Sequence, residues 1–300
     1  MTGGKLARLP DRGTVSISGP DSAKLLQGLI TQDMDDLKKN PALFAALLSP
    51  QGKILFEFFI LPTPTGFILD VARERAPDLV KRLTMYKLRA DVEISDQSQH
   101  CKTFAYWGHD SVPRSMIQGA VSFADPRRPA LGFRILADAS QDIETSTITT
   151  VPASDYDALR VALIVPQGGY DYAFADITPH EANFDLLNGV SFTKGCYVGQ
   201  EVVARMHNKT VIRKRIVQVI ATSSLTSGSD ILLGEAVIGK IGTVDGNTAL
   251  ALLRLDRALE AAEKGLQITA GDSPLTIEQN ALESYRAAAV ARSAHSDLPR

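Results

Sequence analysis

Apolar positions along this chain fall into many short runs separated by turn residues, with few long amphipathic stripes. Residues 13–17 alternate like a strand, and Ser18-Gly19-Pro20-Asp21 then makes a turn from which Asp21 or Ser22 caps a helix through Leu25, Leu26, Leu29 and Ile30. Residues 43–48 and 54–61 read as a strand pair around Ser49-Pro50-Gln51-Gly52, and residues 67–71 form a third strand after a Pro-Thr-Pro-Thr-Gly turn. A helical pattern covers 75–87, and further strands are expected at 92–94, 103–107 and 132–136, the last preceded by a loop at 125–129. Strands alternating with isolated helices predict an α+β fold rather than a doubly wound parallel sheet.

Beyond Arg215 the pattern changes. Ile216, Val217, Val219 and Ile220 form a strand, a polar loop follows at 223–229, and short strands punctuated by Gly239, Gly242 and Gly246 fit a small antiparallel barrel in which these glycines are turns. The expected division is a first region at 1–212 and a C-terminal barrel at 213–300, with a helix at 282–292 and a frayed tail at 293–300.

Composition narrows the class. A hydrophobic content of 44% with 22% charged residues is that of a globular protein, and the net charge of -2 argues against a chain held to nucleic acid mainly by phosphate contacts. No apolar run reaches the ~18 residues of a spanning helix, and the first residues lack the apolar core of a secretory signal, so a cytoplasmic protein with no membrane contact is expected. Cys101 and Cys196 are the only cysteines and are expected to be reduced. His180, Glu181 and His207 lack metal-ligand spacing, so no metal site is expected.

The strongest chemical signal is the run Lys194-Gly195-Cys196-Tyr197-Val198-Gly199-Gln200-Glu201. Two glycines around a thiol imply a tight turn that carries the sulfur to a surface, which makes Cys196 the candidate reactive residue; Lys194 assists it only if the turn folds the ammonium back. Gln200 and Glu201 either hydrogen-bond a heterocycle or open a helix. The cations Lys194, Arg205, Arg213, Lys214 and Arg215 either attract an anionic tail or a weakly held RNA, or are simply solvated.

This run resembles the signature of the YgfZ family, folate-binding proteins related to the glycine-cleavage T-protein. Leu26-Gln27-Gly28-Leu29-Ile30-Thr31-Gln32-Asp33, Ser49-Pro50-Gln51-Gly52-Lys53, the segment from Tyr86 through Ile94, and Pro179-His180-Glu181-Ala182-Asn183 followed by Leu187-Asn188-Gly189 are similar to further family segments. The resemblance implies a T-protein-like fold, in which two interleaved α+β subdomains and a C-terminal barrel surround a channel for tetrahydrofolate or a derivative. It also implies a folate-dependent accessory role in maturing iron–sulfur proteins, including tRNA-modifying enzymes, with those proteins or their assembly machinery as partners. By resemblance, Cys196 is the functional thiol and Tyr156 stacks on the folate; the chemistry of Asp33, Gln200 and Arg205 makes them the further candidate folate contacts. The rival reading is a tetrahydrofolate-dependent aminomethyltransferase. Against it, Phe56 stands where the T-protein has a catalytic carboxylate, with Glu57 beside it, and Ala162 replaces a pterin-binding glutamate. Two cysteines cannot supply the four thiolates of a resident cluster, so any cluster is transient or shared with a partner.

Overall fold

The computed structural model describes residues 4–296 except Gln118, Asp142 and residues 144–147. In chain order it contains β1 (Lys5–Arg8), β2 (Arg12–Ser18), α1 (Ser22–Gln27), β3 (Leu43–Leu48), β4 (Ile54–Thr63), β5 (Gly66–Ala72), α2 (Ala76–Lys87) and β6 (Glu93–Asp96). Then come β7 (Cys101–Trp107), β8 (Ala120–Ala124), β9 (Phe133–Asp138), β10 (Thr149–Val151), α3 (Ala153–Ala162) and α4 (Gln200–Lys209). The last elements are β11 (Lys214–Ala221), β12 (Asp230–Leu233), β13 (Ala236–Asp245), β14 (Thr248–Arg254), α5 (Leu255–Lys264), β15 (Ile268–Ala270), β16 (Ser273–Ile277) and α6 (Gln279–Ser296).

These elements make two compact units. The first comprises Met1–Leu159 and Asp185–Gln200, the second Arg160–Phe184 and Glu201–Arg300. The expected boundary at 212/213 falls between α4 and β11, and the second unit also takes in residues 160–184 and 201–212.

In the first unit two five-stranded sheets run β3-β4-β5-β2-β6 and β10-β1-β7-β9-β8, antiparallel throughout except for the β1–β10 pair. β4 is buried on both faces, which explains its unbroken apolar run. On one face Phe56, Phe58 and Ile60 pack with Leu26 of α1 and with Ala76, Leu79 and Leu83 of α2. On the other, Phe59 meets the guanidinium groups of Arg134 (4.3 Å from ring centroid to Cζ), Arg127 (4.8 Å) and Arg12 (5.9 Å).

Those arginines belong to a buried ionic chain. Asp70 accepts from Arg12 Nε (2.7 Å) and Arg134 Nη1 (3.0 Å), while both Asp125 oxygens accept from Arg127 (2.8 and 3.0 Å). Burial alone would raise the Asp125 carboxyl, but the neighbouring Arg127 and Arg134 guanidiniums hold it below the usual carboxylate range.

In the second unit β11-β14-β13-β12-β15-β16 close into an antiparallel barrel. The reading of its glycines as turns is corrected for two of three. Gly239 and Gly242 lie inside β13, where a Cβ would meet the Leu252 carbonyl oxygen at 2.6 Å and Asp171 Oδ1 at 2.5 Å respectively; only Gly246 sits in a turn. Asp171 is the pin of this unit, accepting from the Gln167 and Thr243 N–H groups (both 2.7 Å) and from buried Arg160 (3.2 Å). α1 ends at Gln27, so Leu29 and Ile30 belong to the following turn. α6 continues through Ser296, beyond the expected end at 292, and the rest of the expected tail, 297–300, lies outside the described residues.

Candidate functional site

The signature cysteine sits on an irregular segment, residues 185–199, held against the turn that follows α1. Thr31 anchors the two backbones: its hydroxyl donates to the Gly189 carbonyl (2.6 Å) and accepts from the Ala46 N–H (2.8 Å), and its carbonyl accepts from the Ser191 N–H (2.9 Å). Gln32 Nε2 donates to the Asn188 carbonyl (2.8 Å). Lys194 completes the clamp by donating to the carbonyls of Gln27 (2.8 Å), Ile30 (2.9 Å) and Gln32 (2.7 Å), so its three ammonium protons have three acceptors.

Lys194 is 7% exposed, and burial pulls its pKa down to about 8 against the opposing attraction of Asp33. The ammonium is therefore committed to the backbone and is not available to the Cys196 thiol or to a ligand carboxylate. Its Nζ also lies 5.1 Å from the centroid of Tyr197, whose phenol burial pushes up to about 12. The clamp and the buried Tyr197 ring flank two exposed residues, Gly195 and Cys196, of which only the cysteine carries a reactive side chain.

The two glycines of the motif differ in role. Gly199 has φ +83°, and a Cβ there would meet the Ser49 carbonyl oxygen at 2.6 Å, which ties the turn before β4 to the signature. Gly195 has nothing within 4 Å of where a Cβ would lie. Packing does not demand that glycine; it leaves open space at the backbone beside the thiol. Val198 packs on the core shared by α1 and α2.

The other expected site residues are dispersed. Asp33 caps the 3-10 turn at Met34–Lys38, its carboxylate accepting from the Asp35 N–H and from Gln27 Nε2 (both 3.0 Å). Tyr156 is 1% exposed, with its hydroxyl between Arg127 (3.2 Å) and Asp125 (3.3 Å) and its ring tilted against Trp107, so it is enclosed by protein and has no open face for stacking on a ligand. Gln200 and Glu201 open α4. Gln200 is half-buried and Arg205 exposed, and among the described residues neither side chain has a hydrogen-bonding partner. Arg215 donates to Asn183 (3.1 Å), so within the basic run this guanidinium has a partner in the protein. Phe56 lies in the first unit's core with the Arg75 guanidinium 4.9 Å from its ring centroid, and Glu57 is also buried.

The His180 and His207 rings lie 6.1 Å apart, and among the described residues no group of three or more His, Cys, Asp or Glu side chains is placed to hold a metal. Nor is any described helix long and apolar enough to cross a membrane. The residues that sequence reasoning passed over are Thr31 and Gln32. Their signal was present, because they belong to the same short segment singled out near the N-terminus.

Comparison with known proteins adds the following. Residues 213–282 match the family model described as the CAF17 C-terminal beta-barrel domain. The chain is similar to proteins named iron-sulfur cluster assembly factor IBA57 homolog, mitochondrial. With that of Mycosarcoma maydis it is 35% identical over 227 residues, covering 71% of this chain and 56% of the relative. The Neurospora crassa protein is 31% identical over 235 residues (72% and 53%), and the Dictyostelium discoideum protein 30% over 268 residues (77% and 65%). The chain thus spans little more than half the length of the first relatives it matches. These names are CAF17 and IBA57 rather than YgfZ, a related family.

The expectation of a cytoplasmic protein is overturned. These relatives are named as mitochondrial, which points to mitochondria rather than the cytoplasm. Among solved structures, the glycine cleavage system aminomethyltransferase T of Bartonella henselae superimposes with a TM-score of 0.73 at 15% identity, covering 92% of this chain and 85% of that one. The chain therefore has the glycine-cleavage T-protein fold, α+β with a closed C-terminal antiparallel barrel.

Proposed function

We propose that this protein is an accessory factor in the maturation of iron–sulfur proteins and that Cys196 is the thiol through which it works. The observation that carries the reading is the clamp. Six hydrogen bonds, three of them from one buried ammonium, fix the backbone just before an exposed cysteine. An exposed thiol contributes nothing to packing, so such preorganisation serves what approaches it.

The names of the relatives direct that thiol toward iron–sulfur chemistry. On losing its proton to solvent, Cys196 Sγ becomes an iron ligand, and a single exposed thiolate completes a coordination sphere whose other ligands come from a partner. Iron–sulfur proteins or their assembly machinery are accordingly the proposed partners.

A reduced folate is the proposed small-molecule partner, by resemblance. Tyr156 and the Asp33 carboxylate do not fit that role, being engaged within the protein; Gln200 and Arg205 have side chains available for it. The rival aminomethyltransferase reading finds Phe56 packed in an apolar core and no carboxylate at that position. The test is expression in cells lacking the endogenous homologue, alongside calorimetric titration of tetrahydrofolate. Restored iron–sulfur enzyme activity without aminomethyl transfer supports the reading. Turnover of an aminomethyl donor with no restoration overturns it.

A further inference from the structure

We infer that the corner where α1 and α2 end is a docking surface for an acidic protein segment, the partner that delivers its cargo to Cys196. The purpose assigned to it rests on the proposed function; the geometry does not. Leu88, the residue that ends α2, has φ +47° and ψ −106° and is 86% exposed. A leucine in that backbone conformation is strained, and an 86% exposed side chain returns nothing to the core to offset it. Met85, one turn back, is 63% exposed.

Beside this protruding leucine lies a concavity of about 480 Å³ whose lining includes Lys24, Leu25, Leu29, Tyr86, Lys87 and Arg89. Among the described residues none of the three cations forms an ion pair, while the one acid in the lining, Asp21, already accepts from the Asp91 N–H (2.9 Å). A knob and an adjacent hole suit a protein surface rather than a bilayer, and three unpaired cations select a partner of negative charge.

The position ties this corner to the thiol. Gly28 and Leu29 line the concavity, and the carbonyls on either side of them, Gln27 and Ile30, receive the Lys194 ammonium. One turn therefore forms a wall of the docking site and a part of the Cys196 clamp.

The test is fluorescence anisotropy of a labelled acidic helix of about 14 residues, four turns with Glu on one face and Leu on the other. It is titrated with the wild type, with a Lys87→Glu/Arg89→Glu double variant and with Leu88→Gly. Charge reversal should weaken binding about tenfold or more, and added salt should do the same to the wild type. Leu88→Gly should weaken binding yet raise the melting temperature, because glycine relieves the backbone strain; a merely structural leucine would move neither in that combination. Equal binding by all three proteins overturns the inference, as does tighter binding of oligouridylate or phosphatidylglycerol vesicles than of the peptide.

In the complementation assay the charge-reversed variant should fail while its Cys196 alkylates at the wild-type rate. If it succeeds and Cys196→Ala fails, the docking inference falls and the proposed function stands. If Cys196→Ala also succeeds, the proposed function falls, and the peptide titration decides the docking surface by itself.

Discussion

Replacing Lys194 with methionine keeps most of the side-chain stem and removes the ammonium. Three carbonyls, two of them in fully buried hydrogen bonds, then lose their charged donor. At about 1–3 kcal/mol for each buried acceptor left unsatisfied, the loss is about 3–9 kcal/mol. Removing an ammonium from a buried site returns several kcal/mol of desolvation, leaving a net destabilisation of about 2–4 kcal/mol. Denaturant unfolding should show it as a lower midpoint with an unchanged slope. Lys194→Arg should not rescue, because a planar guanidinium cannot aim three donors into a cup shaped for an ammonium. The pH dependence gives a second signature. Burial holds the folded-state pKa at about 8, below the ordinary 10.5, so between those values the unfolded chain binds more protons than the folded one. The stability difference between wild type and Lys194→Met should therefore be flat below pH 8 and rise in favour of the wild type from 8 to 10.5. A methionine variant within about 0.5 kcal/mol of wild type, the range of an unremarkable surface change, would refute the clamp.

Other outcomes follow from the same geometry. Gly199→Ala, which combines a left-handed backbone with a close approach to the Ser49 carbonyl, should cost about 2 kcal/mol or more by thermal unfolding, whereas Gly195→Ala, with open space around it, should cost less than about 0.5. Iodoacetamide should label exposed Cys196 about tenfold or more faster than Cys101, whose thiol burial pushes up, as read by peptide mass spectrometry on the two single-cysteine variants. Asp171→Ala should destabilise the second unit by about 3–5 kcal/mol, because buried Arg160 loses a carboxylate partner and two backbone N–H groups lose their acceptor. The Asp125 carboxyl, held low in the folded state, contributes stability that is present above its ordinary 3.8 and lost as pH falls through its folded value; Asp125→Asn should flatten that part of an acid-unfolding curve.

The fold was legible wherever patterning has contrast. β3, β4 and β5 are dense in Leu, Ile and Phe between Gly- and Pro-containing turns, and all three appear where the pattern put them. α5 escaped notice because two of its three buried positions, Ala258 and Ala261, are alanines that contrast weakly with their neighbours; β1 escaped because four residues are too few to show a period. Gly239 and Gly242 were misread because a glycine needed for close approach and one needed for a turn look alike in a sequence.

At the site, Cys196 was legible from its motif, but the task of Lys194 was not. Adjacency in sequence paired the lysine with the thiol, while its acceptors lie more than 160 residues earlier in the chain. The enclosure of Tyr156 on α3 by Arg127 and Asp125 of a loop and by Trp107 of β7 likewise depends on contacts between elements distant in sequence that no local pattern reveals.

The central claim, that Cys196 carries the function, is tested most directly by paired single substitutions in cells lacking the endogenous homologue. Cys196→Ser and Cys101→Ser are expressed at equal levels with matched melting temperatures, and the activity of an iron–sulfur enzyme is measured in each. The account predicts that Cys101→Ser restores activity and Cys196→Ser does not. Restoration by Cys196→Ser equal to wild type would contradict it.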